Sequence, residues 1–118
     1  VDTRTKIVSA AEAGRIAGSG AIVVTGYFDP LLAAHAERLA GLKREGRPLL
    51  VAIADPENPI LPARARAELV AGLAVVDYVT ESADGLAPGL VPDFRLEPED
   101  QARIEDLIER VHARQAAT

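Results

Sequence analysis

The sequence predicts an α/β domain in which a mostly parallel sheet of about four strands lies between layers of helices. Three observations carry that expectation. Apolar runs without alternation occur at Ala21 to Thr25 and at Leu49 to Ala54, the pattern of strands covered on both faces. Each run is followed by a segment with apolar residues at helical spacing. The loops between them are built from Gly, Pro, Asp and Asn. Strands alternating with helices favour a parallel sheet joined by right-handed crossovers.

In chain order, Ser9-Ala10-Ala11-Glu12 is a capping box, which predicts a short helix ending near Gly18 to Gly20. Ala21 to Thr25 is the first core strand. After the loop Gly26 to Pro30, the stripe Leu31, His35, Leu39 and Leu42 predicts a helix stopped by Gly46. Leu49 to Ala54 is the second strand, closed by Asp55-Pro56-Glu57-Asn58-Pro59. A helix from about Pro62 is expected to turn Leu69, Val70 and Leu73 inward. Val75 to Thr80 reads as a third strand, residues 81 to 92 as broken chain, and Phe94 to Leu96 as a fourth, edge strand. From Glu99 a terminal helix is expected with Ile104, Leu107, Ile108 and Val111 on one face, acids near its start and Arg110 and Arg114 near its end, as the helix dipole favours. Gln115 to Thr118 are expected to fray.

Residues 1–118 suit a single domain, with 48% apolar residues but only two Tyr and two Phe. The core is therefore expected to be thin, with close helix contacts through alanine. A net charge of −5 lacks the electrostatic footprint of a general nucleic-acid binder. The absence of cysteine excludes disulfides, thiolate zinc sites and thiol nucleophiles, and His35 and His112 lie too far apart in sequence for a histidine-rich metal cluster. No apolar run approaches the ~18 residues of a membrane span, and Val1 to Ala10 lacks the pattern of a signal sequence. Neither nucleic acid nor membrane is expected as a partner, and a cytoplasmic location is expected.

Ligands of open parallel sheets settle beyond the carboxyl ends of the strands. That directs attention to Gly26-Tyr27-Phe28-Asp29-Pro30. Gly26 suits either a close backbone approach to phosphate or the turn itself, and the following helix offers free N–H groups, with His35 one turn in.

Thr25-Gly26-Tyr27-Phe28-Asp29-Pro30-Leu31-Leu32-Ala33-Ala34-His35 resembles the signature G-C-F-D-x-x-H-x-G-H of the cytidylyltransferase-like nucleotidyltransferases. The likeness is strongest to the adenylyltransferase domain of bifunctional ADP-heptose synthases. It extends over Lys6-Ile7-Val8-Ser9, Asn58-Pro59-Ile60, Arg66-Ala67-Glu68-Leu69, Val76-Asp77-Tyr78-Val79, Pro92-Asp93 and Asp106-Leu107-Ile108-Glu109-Arg110, nearly the whole chain. The resemblance implies a Rossmann-like three-layer sandwich, truncated relative to the family. It also implies nucleotide contacts at Gly26, Tyr27, Phe28, His35 and Arg66.

The sequence departs from that pattern where phosphate is handled. Leu32 replaces the first histidine and Ala34 the glycine, leaving His35 as the residual catalytic candidate. Glu97-Pro98-Glu99-Asp100 stands where the family has K-G-x-D, and Arg103-Ile104-Glu105 where it has Ser-Thr-Thr. A strand is deleted before the final segment, and the basic loop after the second strand is reduced to Asp55-Pro56-Glu57. Losing one donor aimed at a developing anion costs ~10²- to 10³-fold in rate.

Structural readings stand beside the functional ones. His35 suits a buried helix residue bonded to a backbone carbonyl, Asp29 a cap of the next helix, and Arg66 either a nucleotide contact or an i,i+4 surface pair. Glu97, Glu99 and Asp100 suit a charged helix start better than a metal site, and no metal ligand is assigned. His112 reads as incidental. The expectation is a non-catalytic domain that binds a nucleotide or phosphorylated small molecule or serves as an oligomerisation module, with a homodimer as the expected assembly. The alternative is an active enzyme moving AMP or CMP from ATP or CTP, with Mg2+, to a small phosphorylated acceptor such as a sugar phosphate and releasing pyrophosphate.

Overall fold

A computed structural model describes residues 2–81 and 91–117 of the chain. Thr3–Lys6 form a single 3-10 turn, followed by the two-residue strand β1, Ile7–Val8. Ser9 caps α1, Ala10–Gly18, its side-chain oxygen accepting from the Glu12 N–H at 3.2 Å. Strand β2 is Ile22–Gly26 and β3 is Leu49–Ile53, each buried along its whole length as the unbroken apolar runs predict. Helix α2, Ala33–Leu42, lies between them. Helix α3, Ala63–Ala71, leads to β4, Tyr78–Thr80; β5, Phe94–Arg95, then feeds α4, Glu97–Ala117.

All five strands are parallel, in the order β1-β4-β3-β2-β5. The fold is a Rossmann-like α/β sandwich. On one face, Ile22, Val24, Val51, Ile53 and Val79 meet Leu39 and Leu42 of α2 and Ala67, Val70 and Ala71 of α3. On the other, Val23 and Leu50 meet Ala13 of α1, with Ile16, Ala17 and Tyr78 packed around them. Each fully buried branched side chain contributes ~1.5–3 kcal/mol, and the fully buried alanines of α1 and α3 let the helices lie close to the strands.

Several details differ from the sequence expectation. β1 is an additional edge strand, too short to show a pattern of its own and held by pairing Ile7 with Val79 and Val8 with Thr80. α2 ends at Leu42 rather than Gly46, which instead takes φ +78° in the turn between Arg44 and Arg47. The buried face of α3 is Arg66, Ala67, Val70 and Ala71; Val70 turns inward as expected and Leu73, just beyond the helix end, packs partly buried against the core, but Leu69 is 47% exposed. Ala67 and Ala71 permit close contact with the sheet, and Arg66 is buried on the same face. Residues 82–90 of the expected broken segment, and Thr118, lie outside the described residues, while Gln115 to Ala117 continue α4 rather than fray.

α4 is ~31 Å long at 1.5 Å per residue, and after Asp100 its described side chains are exposed. The molecule accordingly measures 55 × 27 × 27 Å. Among the described residues, no helix is long and apolar enough to cross a membrane.

Candidate functional site

Strands β3 and β4 lie to one side of β2 and β5 to the other, so the order of connection reverses at β2. A crevice opens there, beyond the carboxyl ends of β2 and β5. Its walls are the loop after β2, the loop after β3 and the first turns of α4.

The loop after β2 is folded inward. Phe28 takes φ +48° and is fully buried, a backbone conformation uncommon outside glycine. A Cβ on Gly26 would lie 2.6 Å from the Phe28 ring, so the glycine is required by that ring. Asp29 does not make the expected cap of α2; its carboxylate reaches across to the Ile60 and Leu61 N–H groups at 2.7 and 2.8 Å. The loops after β2 and β3 are thus tied together.

Arg66 ties them a second time. Its side chain is 1% exposed and donates to the carbonyl oxygens of Ala54 (2.7 Å), Leu61 (3.0 Å) and Tyr27 (3.2 Å) and to the Asp55 carboxylate (2.7 Å). The expected surface pair is made instead by Arg64 with Glu68. A buried guanidinium with four acceptors is a structural cross-brace, since its donors would otherwise be left without water or partner.

His35 sits one turn into α2, 4% exposed, with its ring edge-on to Phe28 at a centroid distance of 5.2 Å. Its partners are not the expected carbonyl. Nδ1 accepts from the Leu32 N–H at 2.9 Å, which places the ring proton on Nε2, and Nε2 donates to Asp100 Oδ1 at 2.6 Å. Arg103 Nη1 donates to the same oxygen at 2.9 Å. Arg103 Nη1 and His35 Nε2 are 3.4 Å apart, two donors converging on one carboxylate oxygen. Asp100 is 7% exposed, and its Oδ2 is buried with no hydrogen-bond partner among the described residues.

Beside this cluster lies a cavity of about 480 Å³, within the size range of small-molecule sites. Tyr27, Pro30, Leu32, Pro56, Ile60 and Leu107 give it an apolar lining, and His35, Asp100, Arg103, Asp106 and Arg110 are among its polar groups. Of the expected nucleotide contacts, Tyr27 and His35 line this cavity. Gly26, Phe28 and Arg66 are not in its lining; Phe28 packs against His35, Gly26 lies against the Phe28 ring, and Arg66 holds the Tyr27 carbonyl. Both cavity-lining arginines already hold carboxylates, Arg103 that of Asp100 and Arg110 that of Asp106 at 3.0 Å.

Glu97, Glu99 and Asp100 form the first turn of α4, as a charged helix start. Sequence reasoning missed the roles of Asp100 and Arg103 in the site. The available signal was their i,i+3 spacing, which puts them on one face of the helix emerging from β5. His112 lies on the exposed part of α4.

No protein-family model matches the chain. The chain is 31% identical over 114 residues to the bifunctional protein HldE of Chromohalobacter salexigens, a match covering 86% of this chain and 24% of that protein. It is 29% identical over 120 residues to the bifunctional protein HldE of Shewanella piezotolerans, covering 91% of this chain and 25% of that protein. The chain spans about a quarter of the length of these curated relatives. It is distantly related to HldE.

Proposed function

We propose that this chain is a nucleotidyltransferase-like domain that has lost nucleotidyl transfer and serves as a binding module for a small ligand at the β2–β5 crevice. The observation that carries this reading is the engagement of His35 by Asp100. The retained histidine of the motif spends its outward donor on a carboxylate of its own chain. Leu32, in the place of the other histidine, is 43% exposed on the cavity wall and donates nothing through its side chain.

Transfer to an acceptor phosphate requires donors aimed at the charge that develops as pyrophosphate leaves. Each cavity-lining arginine faces a carboxylate of its own chain, Arg103 that of buried Asp100 and Arg110 that of exposed Asp106, which offsets the positive charge such a step would need. The Mg2+ implied by an active enzyme fits poorly. Asp29 is occupied by two backbone N–H groups, Asp100 by His35 and Arg103, and Asp106 by Arg110.

A second reading, self-association, is favoured by α4. Leu107, Ile108 and Val111 are 61%, 49% and 45% exposed on a helix that projects from the body. A homodimer formed through this stripe is compatible with the binding role.

Incubation with ATP or CTP, Mg2+ and sugar phosphates, followed by pyrophosphate assay, tests the main reading. The expected result is no release above background. Turnover at ~1 s⁻¹ or faster, ordinary for enzymes, would overturn it and restore the active transferase.

A further inference from the structure

We propose that Asp100 is an internal occupant of an anion position built by His35 and Arg103, and that it makes the crevice selective for uncharged ligands over phosphorylated ones. This rests on the binding-module reading and deepens it by assigning the ligand class.

The geometry has three parts. First, the donors are fixed before any ligand arrives. The Leu32 N–H engages Nδ1 and leaves the proton on Nε2, so the histidine offers one donor in one direction. Arg103 offers a second to the same point from the adjacent turn of α4. Two donors converging from different helices on one oxygen are what an anion position requires. Second, that oxygen is Asp100 Oδ1, delivered by the chain and more than nine-tenths buried. A phosphate would have to displace a carboxylate whose local concentration is set by its covalent attachment.

Third, the cavity wall beside that position repels a second anion. Oδ2 of Asp100 is a buried carboxylate oxygen without a partner among the described residues, and Asp100 lines the cavity. An anion entering there meets that uncompensated oxygen, whereas the apolar walls offered by Tyr27, Pro30, Leu32, Pro56, Ile60 and Leu107 suit an uncharged ring.

Calorimetry of the wild-type chain, Asp100→Ser and Asp100→Asn with adenosine, inorganic pyrophosphate and ATP tests the assignment. Wild type is expected to bind adenosine at least ~10-fold more tightly than either phosphorylated probe. Asp100→Ser vacates the position and should gain affinity for pyrophosphate by ~10- to 100-fold, the scale of one or two charge-assisted hydrogen bonds. The gain should vanish when Arg103→Ala is added. Should Asp100→Ser fail to fold, Asp100→Asn decides: it keeps the shape but removes the charge, and should bind pyrophosphate more tightly than wild type.

Tight pyrophosphate or ATP binding by wild type, or no gain in a folded Asp100 variant, would overturn the assignment. If adenosine still binds in that case, the binding-module reading stands without it. Adenosine and pyrophosphate both failing to bind wild type and variants would remove both.

Discussion

The two edges of the parallel sheet treat their charged groups differently. At the amino edge, Asp77 accepts from the Leu49 N–H at 2.7 Å and Asp93 from the Val23 N–H at 2.8 Å, each fixing the start of a neighbouring strand. At the carboxyl edge, Asp29 likewise holds backbone, but Asp100 holds side chains, His35 and Arg103, that converge from two helices. At the amino edge both carboxylates hold backbone, and Asp77 takes the Lys43 ammonium as well. At the carboxyl edge the side chains of Asp100, His35 and Arg103 satisfy one another beside the cavity. Asp77, Asp93, Gly26 and Arg66 all belong to the family-like stretches of the sequence, and all serve the scaffold here.

The largest effect is expected at the brace beneath the crevice. Arg66→Ala leaves three carbonyl oxygens and Asp55 without their donor and should destabilise the fold by ~3 kcal/mol or more, measured by urea denaturation. Arg64→Ala, at the half-exposed pair with Glu68, should change stability by less than ~0.5 kcal/mol. Equal effects would erase the distinction between buried brace and surface pair.

Next is Gly26→Ala, whose added methyl would meet the Phe28 ring at 2.6 Å and should cost ~1–3 kcal/mol by the same measurement. A neutral outcome would show that the loop after β2 can give way, contrary to a fixed Phe28.

At the amino edge, burial pushes the Asp77 carboxyl upward, but hydrogen bonds from the Lys43 ammonium and the Leu49 N–H, with the charges of Lys43 and Lys6, outweigh it. The folded value is held below the ordinary 3.8. The resulting stability is present above that pH and is lost as pH falls through the folded value. Asp77→Asn should therefore be less stable than wild type at pH 7, by no more than ~1 kcal/mol because the Lys43 pair is partly exposed. The difference should close in melts taken at a pH below the folded value of the Asp77 carboxyl. A difference persisting there would assign the role to side-chain shape instead of charge.

Smallest in stability is Leu107→Glu, expected to shift unfolding by less than ~0.5 kcal/mol because the side chain is 61% exposed. On the self-association reading it converts a dimer to a monomer in light scattering. An unchanged mass would remove α4 as the contact.

Much of the sheet was legible because its signals are local. Ile22 to Gly26 and Leu49 to Ile53 are apolar on both faces, Ser9 begins a helix by side-chain chemistry within three residues, and the acids of α4 lie at its start. β1 was not legible, because two residues carry no period. The orientation of α3 was missed because its inward face contains an arginine, and only the carbonyl groups gathered from two loops make that burial favourable.

The sequence by itself determined where the long core strands and the helices lie, and that leucine and alanine stand at positions 32 and 34 and acids at the start of α4. Those properties depend on neighbours within a turn or on the identity of single residues. Only the tertiary structure decided that His35 would meet a carboxylate 65 positions away, that Arg66 would turn inward, and that Phe28 would fill the space left by Gly26. Each requires desolvated partners brought together from separate elements, and a desolvated group must accept whatever complementary chemistry the fold places beside it.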